Sequence, residues 1–138
     1  MLRPFHLAIP VDDLQKANTF YGDVLGCERG RSDVHWIDWN FFGHQLVTHL
    51  VEQMPTQILP NEVDKKSVPV PHFGLVLSKQ DWEKVANQFR QHKVEFQIEP
   101  YIRFKGKAGE QGTFFVFDPA KNALEFKYFD DLNQVFAK

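Results

Sequence analysis

Cysteine is nearly absent. Cys27 is the only one in 138 residues, which excludes an internal disulfide and any metal centre built from several thiolates. A metal, if bound, must rest on His, Asp and Glu. Long apolar runs are missing as well: the stretch Phe114 to Phe117 falls far short of the roughly 20 residues of a membrane-spanning helix, so no membrane partner is expected. Nor is there an excess of one charge, because 16 Lys and Arg against 18 Asp and Glu leave a net charge of −2. That balance supplies no long-range field for nucleic acid or anionic lipid. The stretch Met1 to His6 runs into strand-like sequence without a basic-then-apolar export signal, and the expectation is a cytoplasmic protein. At 43% apolar and 25% charged, the composition is that of an ordinary folded domain, not a disordered chain.

Aromatics are abundant: fourteen Phe, three Trp and three Tyr. Each buries a large area, so most are read as core, with Trp36 and Trp39 among them. A minority is left to line a pocket, since small-molecule sites are mostly apolar with a few placed polar groups.

Along the chain, Phe5, Leu7 and Ile9 alternate on one face of a strand that Pro10 should end, and His6 and Ala8 lie on the other. Asp12 or Asp13 then caps a helix with Leu14, Ala17, Tyr21 and Val24 at helical spacing, stopped by Gly26. Val34 to Trp39 and Gln45 to Val51 read as hairpin-connected strands. The Pro-rich stretch after Glu52 reads as an irregular connector. The pattern then repeats. Phe73, Leu75 and Leu77 share one strand face, with His72, Gly74 and Val76 on the other. Ser78 caps a helix bearing Trp82, Val85, Ala86 and Phe89. Val94 to Phe96, Tyr101 to Phe104, Thr113 to Phe117 and Ala123 to Tyr128 carry strand signals, and the tail after Asp130 suggests a short helix. His72 follows His6 by 66 residues in the same phase.

The expected fold is therefore α+β, one domain of two βαβββ modules at 1–52 and 70–130 joined by a connector at 53–69. Neither sheet buries itself alone, so the modules should form a curved, cup-like mixed sheet with helices on the convex side. A single strand histidine is ordinarily a hydrogen-bonded structural residue. Two at equivalent places in a repeat, both off the apolar faces, favour a shared metal. Glu125 is the natural third ligand, on the face it shares with Ala123 and Lys127. Asp118-Pro119 turns the chain and Asn122, in a left-handed or Asx conformation, returns it to the sheet. Two His and one carboxylate would leave positions open for substrate and oxygen, as in non-heme Fe(II) oxygenases.

These residues resemble the vicinal oxygen chelate superfamily, which includes glyoxalase I, extradiol dioxygenases and the bleomycin- and fosfomycin-resistance proteins. The likeness covers nearly the whole chain. It is carried by His6 followed by Val11-Asp12-Asp13-Leu14, Ala17, Phe20-Tyr21 and Leu25-Gly26, then by His72, Asp118-Pro119, Asn122 and Glu125. Lys121 stands where the family turn normally carries Gly. The resemblance implies a divalent metal held by His6, His72 and Glu125, with Fe(II) preferred and Mn, Zn, Ni or Co as alternatives.

The strand from Gly43 to His49 lacks the additional carboxylate ligand of glyoxalase I, which brings the chain nearer to the three-ligand extradiol dioxygenases. The Tyr and His that those enzymes place ahead of the ligating Glu are missing: the corresponding stretch offers Phe115 and the Gly106 region. Acid–base work then falls to His49, His44 or Tyr101, with His49 alternatively a fourth ligand. Gln45, Phe115 and Arg103 are the candidate substrate contacts, Arg103 through a substrate carboxylate. The expectation is an extradiol-like dioxygenase acting on a small substrate that chelates through adjacent oxygens. The alternatives are a glyoxalase-type isomerase or lyase, and a drug-binding protein without catalysis. A homodimer is the default assembly.

Overall fold

The computed structural model describes residues 2–55 and 59–138. The chain divides into two compact units, Met1–Gln57 with Asp118–Asn122, and Ile58–Phe117 with Ala123–Lys138. Positions 56–58 of the expected connector lie outside the described residues. The architecture is α+β, with an open mixed sheet in each unit. No described helix is long and apolar enough to cross a membrane.

In the first unit, β1 (His6–Val11), β2 (Glu28–Ser32), β3 (Trp36–Phe41) and β4 (His44–Leu50) are ordered β1-β4-β3-β2. The first strand pairs parallel with the last, and the other neighbours are antiparallel. Pro10 does not end β1, which runs on to Val11. Among the described residues β1 is an edge strand of its sheet, paired with β4, where a missing N–H need not break a ladder. β2 is fully exposed, and its sequence ERGRS has no apolar alternation to announce it.

The expected regular helix is also corrected. Asp13 caps a single α-helical turn, α1 (Leu14–Ala17), by accepting from the Lys16 N–H. The chain then continues as a π-helix over Asn18–Val24, with the Leu25 N–H reaching back to the Phe20 carbonyl. The buried stripe of Ala17, Phe20, Tyr21 and Val24 does not distinguish 3.6-residue winding from wider winding. Trp39 is fully buried and donates its Nε1–H to Thr48 Oγ1 at 3.1 Å, satisfying two buried polar groups at once. Trp36 lies on the opposite face, half-buried.

The second unit repeats the topology. β7 (Phe73–Leu77), β8 (Phe96–Arg103), β9 (Gln111–Phe117) and β10 (Ala123–Phe129) are ordered β7-β10-β9-β8, again with the first and last strands parallel. Between β7 and β8 runs α2 (Lys79–Gln91), capped by Ser78, which accepts from the Asp81 N–H. It buries Trp82, Val85, Ala86 and Phe89. Phe114 and Phe126 stack at 5.4 Å, with Phe89 and Phe96 edge-on to Phe114 at 6.0 and 5.3 Å. Four of the fourteen Phe meet in this cluster, in line with the aromatic core that the composition implied. The tail forms a 3-10 helix, Leu132–Phe136.

Two features of this unit escape the sequence rules. Part of the expected irregular connector is a hairpin, β5 (Leu59–Val63) and β6 (Lys66–Val70). Its two-residue turn holds Asp64 and Lys65 at φ 51 and 61, the left-handed geometry that hairpin turns need but that Asp-Lys does not advertise. In addition, β8 runs unbroken through Pro100 with two register shifts. Bulges change the side-chain phase, so Ile98 lies opposite Phe115, and Tyr101 lies opposite Thr113.

Candidate metal centre

The second unit gathers the chemistry on the sheet face away from α2. Strand pairing lays out two rows across β7, β10, β9 and β8: Gly74, Glu125, Phe115 and Ile98, then Val76, Lys127, Thr113 and Tyr101. His72 precedes β7 and reaches over the first row. Its Nε2 lies 3.0 Å from Glu125 Oε2, and its ring stands edge-on to Phe115 at 5.0 Å. Its Nδ1 lies 2.7 Å from the Pro69 carbonyl. A carbonyl only accepts, so Nδ1 carries a proton, and Nε2, which faces the carboxylate, carries either a second proton donated to Glu125 or, in the neutral ring, a lone pair free for a metal ion. Lone pair and carboxylate repel unless a cation stands between them, and that cation is either a second proton or a metal ion.

Glu125 is held for this task. Thr113 Oγ1–H donates to Glu125 Oε1 at 2.7 Å, and Lys127 Nζ lies 3.6 Å from the same oxygen. Burial alone would raise the Glu125 carboxyl, but the hydrogen bonds from His72 and Thr113 and the Lys127 charge outweigh it and hold the group below its usual range. The hydrogen bond to Glu125 lifts His72 above the ordinary imidazole value, against a smaller opposing effect of burial. A histidine whose far nitrogen donates to a backbone carbonyl while the near one faces a carboxylate has the supported arrangement of a metal ligand. The residues therefore fit a divalent ion as far as this pair goes. Within neither unit, among the described residues, do three His, Cys, Asp or Glu side chains form a metal-holding group.

At the other end of the face, Asp64 in the β5–β6 turn accepts from Tyr101 Oη at 3.0 Å and pairs with Arg103 Nε. Lys66 Nζ lies over the Tyr101 ring at 4.6 Å. Burial and the Asp64 hydrogen bond push the Tyr101 phenol up to about 12, so it stays protonated at neutral pH. Arg103, a candidate for a substrate carboxylate, is engaged by Asp64. Val68 of β6 packs on Ile98 and Phe115 and brings the hairpin against the first row.

In the first unit His6 is exposed, and its Nδ1 meets Gln45 Oε1 at 2.9 Å across the β1–β4 ladder. His49 lies four residues along β4 from Gln45, about 13 Å at strand rise, opposite Pro10 and Trp36. The strand thus brings His6 to Gln45 and not to His49. His44 Nδ1 accepts the Phe5 N–H at 2.9 Å and serves the backbone. The turn expected to lead into Glu125 is present. Asp118 Oδ1 accepts from the Ala120 and Asn122 N–H groups, and Oδ2 accepts from Tyr21 Oη and Asn122 Nδ2. The left-handed residue is Lys121, at φ 71, so Asn122 acts through its side chain. Burial pushes the Cys27 thiol up to about 12, which leaves it inert as filler.

Sequence reasoning missed Thr113, Asp64 and Pro69. Thr113 was visible in the strand alternation, whereas Asp64 and Pro69 lay hidden in the connector.

The family model described as the glyoxalase/bleomycin resistance protein/dioxygenase superfamily matches residues 3–126. A glyoxalase/bleomycin resistance protein/dioxygenase from Alicyclobacillus acidocaldarius is similar at 36% identity, with 96% of each chain covered and a TM-score of 0.79. The fold is shared with the fosfomycin resistance protein FosX of Listeria monocytogenes, at 12% identity, 97% and 98% coverage and a TM-score of 0.70. It is also shared with lactoylglutathione lyase of Agrobacterium tumefaciens, at 16% identity, 97% and 96% coverage and a TM-score of 0.64. No curated protein matches the sequence.

Proposed function

The chain belongs to the glyoxalase/bleomycin resistance protein/dioxygenase superfamily, and on that premise we propose that it is a metal-dependent enzyme acting on a small substrate that chelates through two adjacent oxygens. The observation that carries this reading is the His72–Glu125 pair, with Nδ1 donating to the Pro69 carbonyl and Nε2 facing the carboxylate at 3.0 Å. His6 enters the ligand set from its place in the repeat and from the family resemblance. When bound, a divalent ion supplies Lewis-acid polarisation of the substrate and, if it is iron, a path for electrons to dioxygen.

The chain's own residues set the stage. The Pro69 carbonyl fixes the His72 tautomer, and Thr113 fixes one Glu125 oxygen so that the other faces the ring. Phe115 stands edge-on to His72 at 5.0 Å and packs against the ring. Tyr101, protonated and tied to Asp64, is a fixed hydroxyl and not a base at neutral pH. Gln45 as substrate contact and His49 as acid–base residue belong to the proposal from sequence. Arg103 would take a substrate carboxylate only by leaving Asp64.

Extradiol-like ring cleavage, in a cytoplasmic homodimer using Fe(II), is the finer form of this reading. It is supported by the lack of an acid in β4, where a glyoxalase-type fourth ligand would stand. The test is elemental analysis of protein purified without chelator, followed by oxygen uptake with catechols after anaerobic Fe(II) reconstitution. Stoichiometric metal that His72→Ala and Glu125→Gln abolish is expected, together with oxygen consumption. Metal without oxygen uptake would turn the reading to an isomerase or lyase. Absence of metal, with ligand binding intact in His6→Ala, would leave a binding protein.

A further inference from the structure

Lys127 has no role in the reading above, yet it stands beside the carboxylate that reading depends on. It shares the sheet face with Glu125 and lies between Val76 of β7 and Thr113 of β9. Its side chain is 28% exposed. Among the described residues its ion-pair partner is Glu125 Oε1 at 3.6 Å, beyond direct hydrogen-bond reach, while Thr113 donates to the same oxygen at 2.7 Å. An ammonium has three donors, and among the described residues none of them meets an acceptor at hydrogen-bond distance. The other polar donors of this face are committed, since Tyr101 and Arg103 are both bound to Asp64.

We infer that Lys127 is a specificity-determining residue that selects substrates whose chelating oxygens carry negative charge, such as an α-hydroxy or α-keto carboxylate, over neutral dicarbonyls. The inference rests on the proposal that His72 and Glu125 hold a divalent ion. An ion there draws on the carboxylate that Lys127 now faces and sets two positive charges side by side. A neutral chelator leaves that repulsion in place. An anionic oxygen beside the ion relieves it and accepts a charge-assisted hydrogen bond from the ammonium.

The test uses oxalate and oxamide, which present the same pair of adjacent oxygens with and without charge. Mn2+ is first titrated calorimetrically into wild type, Lys127→Gln and Lys127→Arg, and each chelator is then titrated into the Mn2+-loaded proteins. The ion itself favours oxalate, so the measured quantity is the change in the oxalate-to-oxamide affinity ratio. Lys127→Gln should lower the ratio by about tenfold or more, the worth of one charge-assisted hydrogen bond, and Lys127→Arg should restore most of it. An unchanged ratio in Lys127→Gln with Mn2+ still bound overturns the assignment of Lys127 alone. Failure of wild type to bind Mn2+ overturns the metal reading and this inference with it.

Discussion

The two units share one topology but not one chemistry. In each, the first strand pairs parallel with the last and a histidine stands at the start, His6 in one and His72 in the other. Their partners do not correspond. Glu125 lies opposite Gly74, two residues after His72, and the matching position in the first unit, opposite Ala8, is Val47. The polar partner of His6 is Gln45, one side-chain pair earlier and neutral. The repeat thus preserves the scaffold and the imidazole while letting the acid differ. A fold fixed by backbone pairing and apolar packing can carry different side chains at equivalent sheet positions.

The largest expected effect comes from removing the difference in charge. Glu125→Gln makes the second unit resemble the first, a histidine beside a neutral carboxamide, and divalent-metal affinity measured by calorimetry should fall by about 100-fold or more. Gln45→Ala removes the neutral partner of His6 and should weaken metal binding by less than about tenfold. Equal losses at the two positions would mean that the units do not divide the work as their side chains suggest.

A second contrast lies in the backbone. A Cβ added at Gly74 would be driven into the Glu125 carbonyl, so β7 and β10 approach at that point in a way only glycine permits, whereas the equivalent Ala8 carries its Cβ in the β1–β4 pair. Gly74→Ala should destabilise the protein by about 2 to 3 kcal/mol, from the strand shift needed to relieve the clash. Ala8→Gly should cost about 1 kcal/mol or less. Thermal denaturation of both variants measures the asymmetry, and similar losses would remove the claim that the second parallel pair is the tighter one.

How much of this was legible depends on which interactions the residues obey. His6, His72 and Glu125 could be singled out because strand alternation separates them from Leu7, Phe73 and Leu124, and the repeat gives the two histidines the same phase. The α2 stripe and the aromatic core followed from spacing in the same way. The hairpin over Leu59 to Val70 could not be read, because its turn uses Asp64 and Lys65 at positive φ in place of Asn-Gly, and Pro60 and Pro69 argue against strands unless the partner is known. The phase of Tyr101 and Arg103 was hidden by two bulges in β8. The π-helix was hidden because its buried positions also fit an α-helix.

Val47 offers an intermediate test. It is 5% exposed, while Gln45 is exposed. Val47→Glu, which copies Glu125 into the first unit by strict symmetry, should destabilise by about 2 to 4 kcal/mol because the carboxylate is buried without a built partner. Gln45→Glu, at the exposed place where the polar partner actually sits, should stay within about 0.5 kcal/mol. Urea midpoints compare the two. A tolerated Val47→Glu would show that the first unit has room for the acid it lacks.

The smallest effect concerns the hairpin that packs on the second unit's face, for which the first unit has no counterpart among the described residues. Its turn is fastened by Asp64, which the Arg103 hydrogen bond, with help from Tyr101, holds below the usual carboxylate range. A lowered folded value means that this stabilisation is present above the unfolded carboxyl's range, near about 3.9, and is lost as pH falls through the folded value. The Asp64 side chain is 37% exposed, so solvent screening limits the contribution to about 1 kcal/mol or less. Amide exchange over Lys66–Val70 should therefore quicken in acid and in Asp64→Asn by less than about tenfold, while exchange in β4 stays unchanged. Equal quickening in β4 would show that acid loosens both units together, and that Asp64 fastens nothing peculiar to the second.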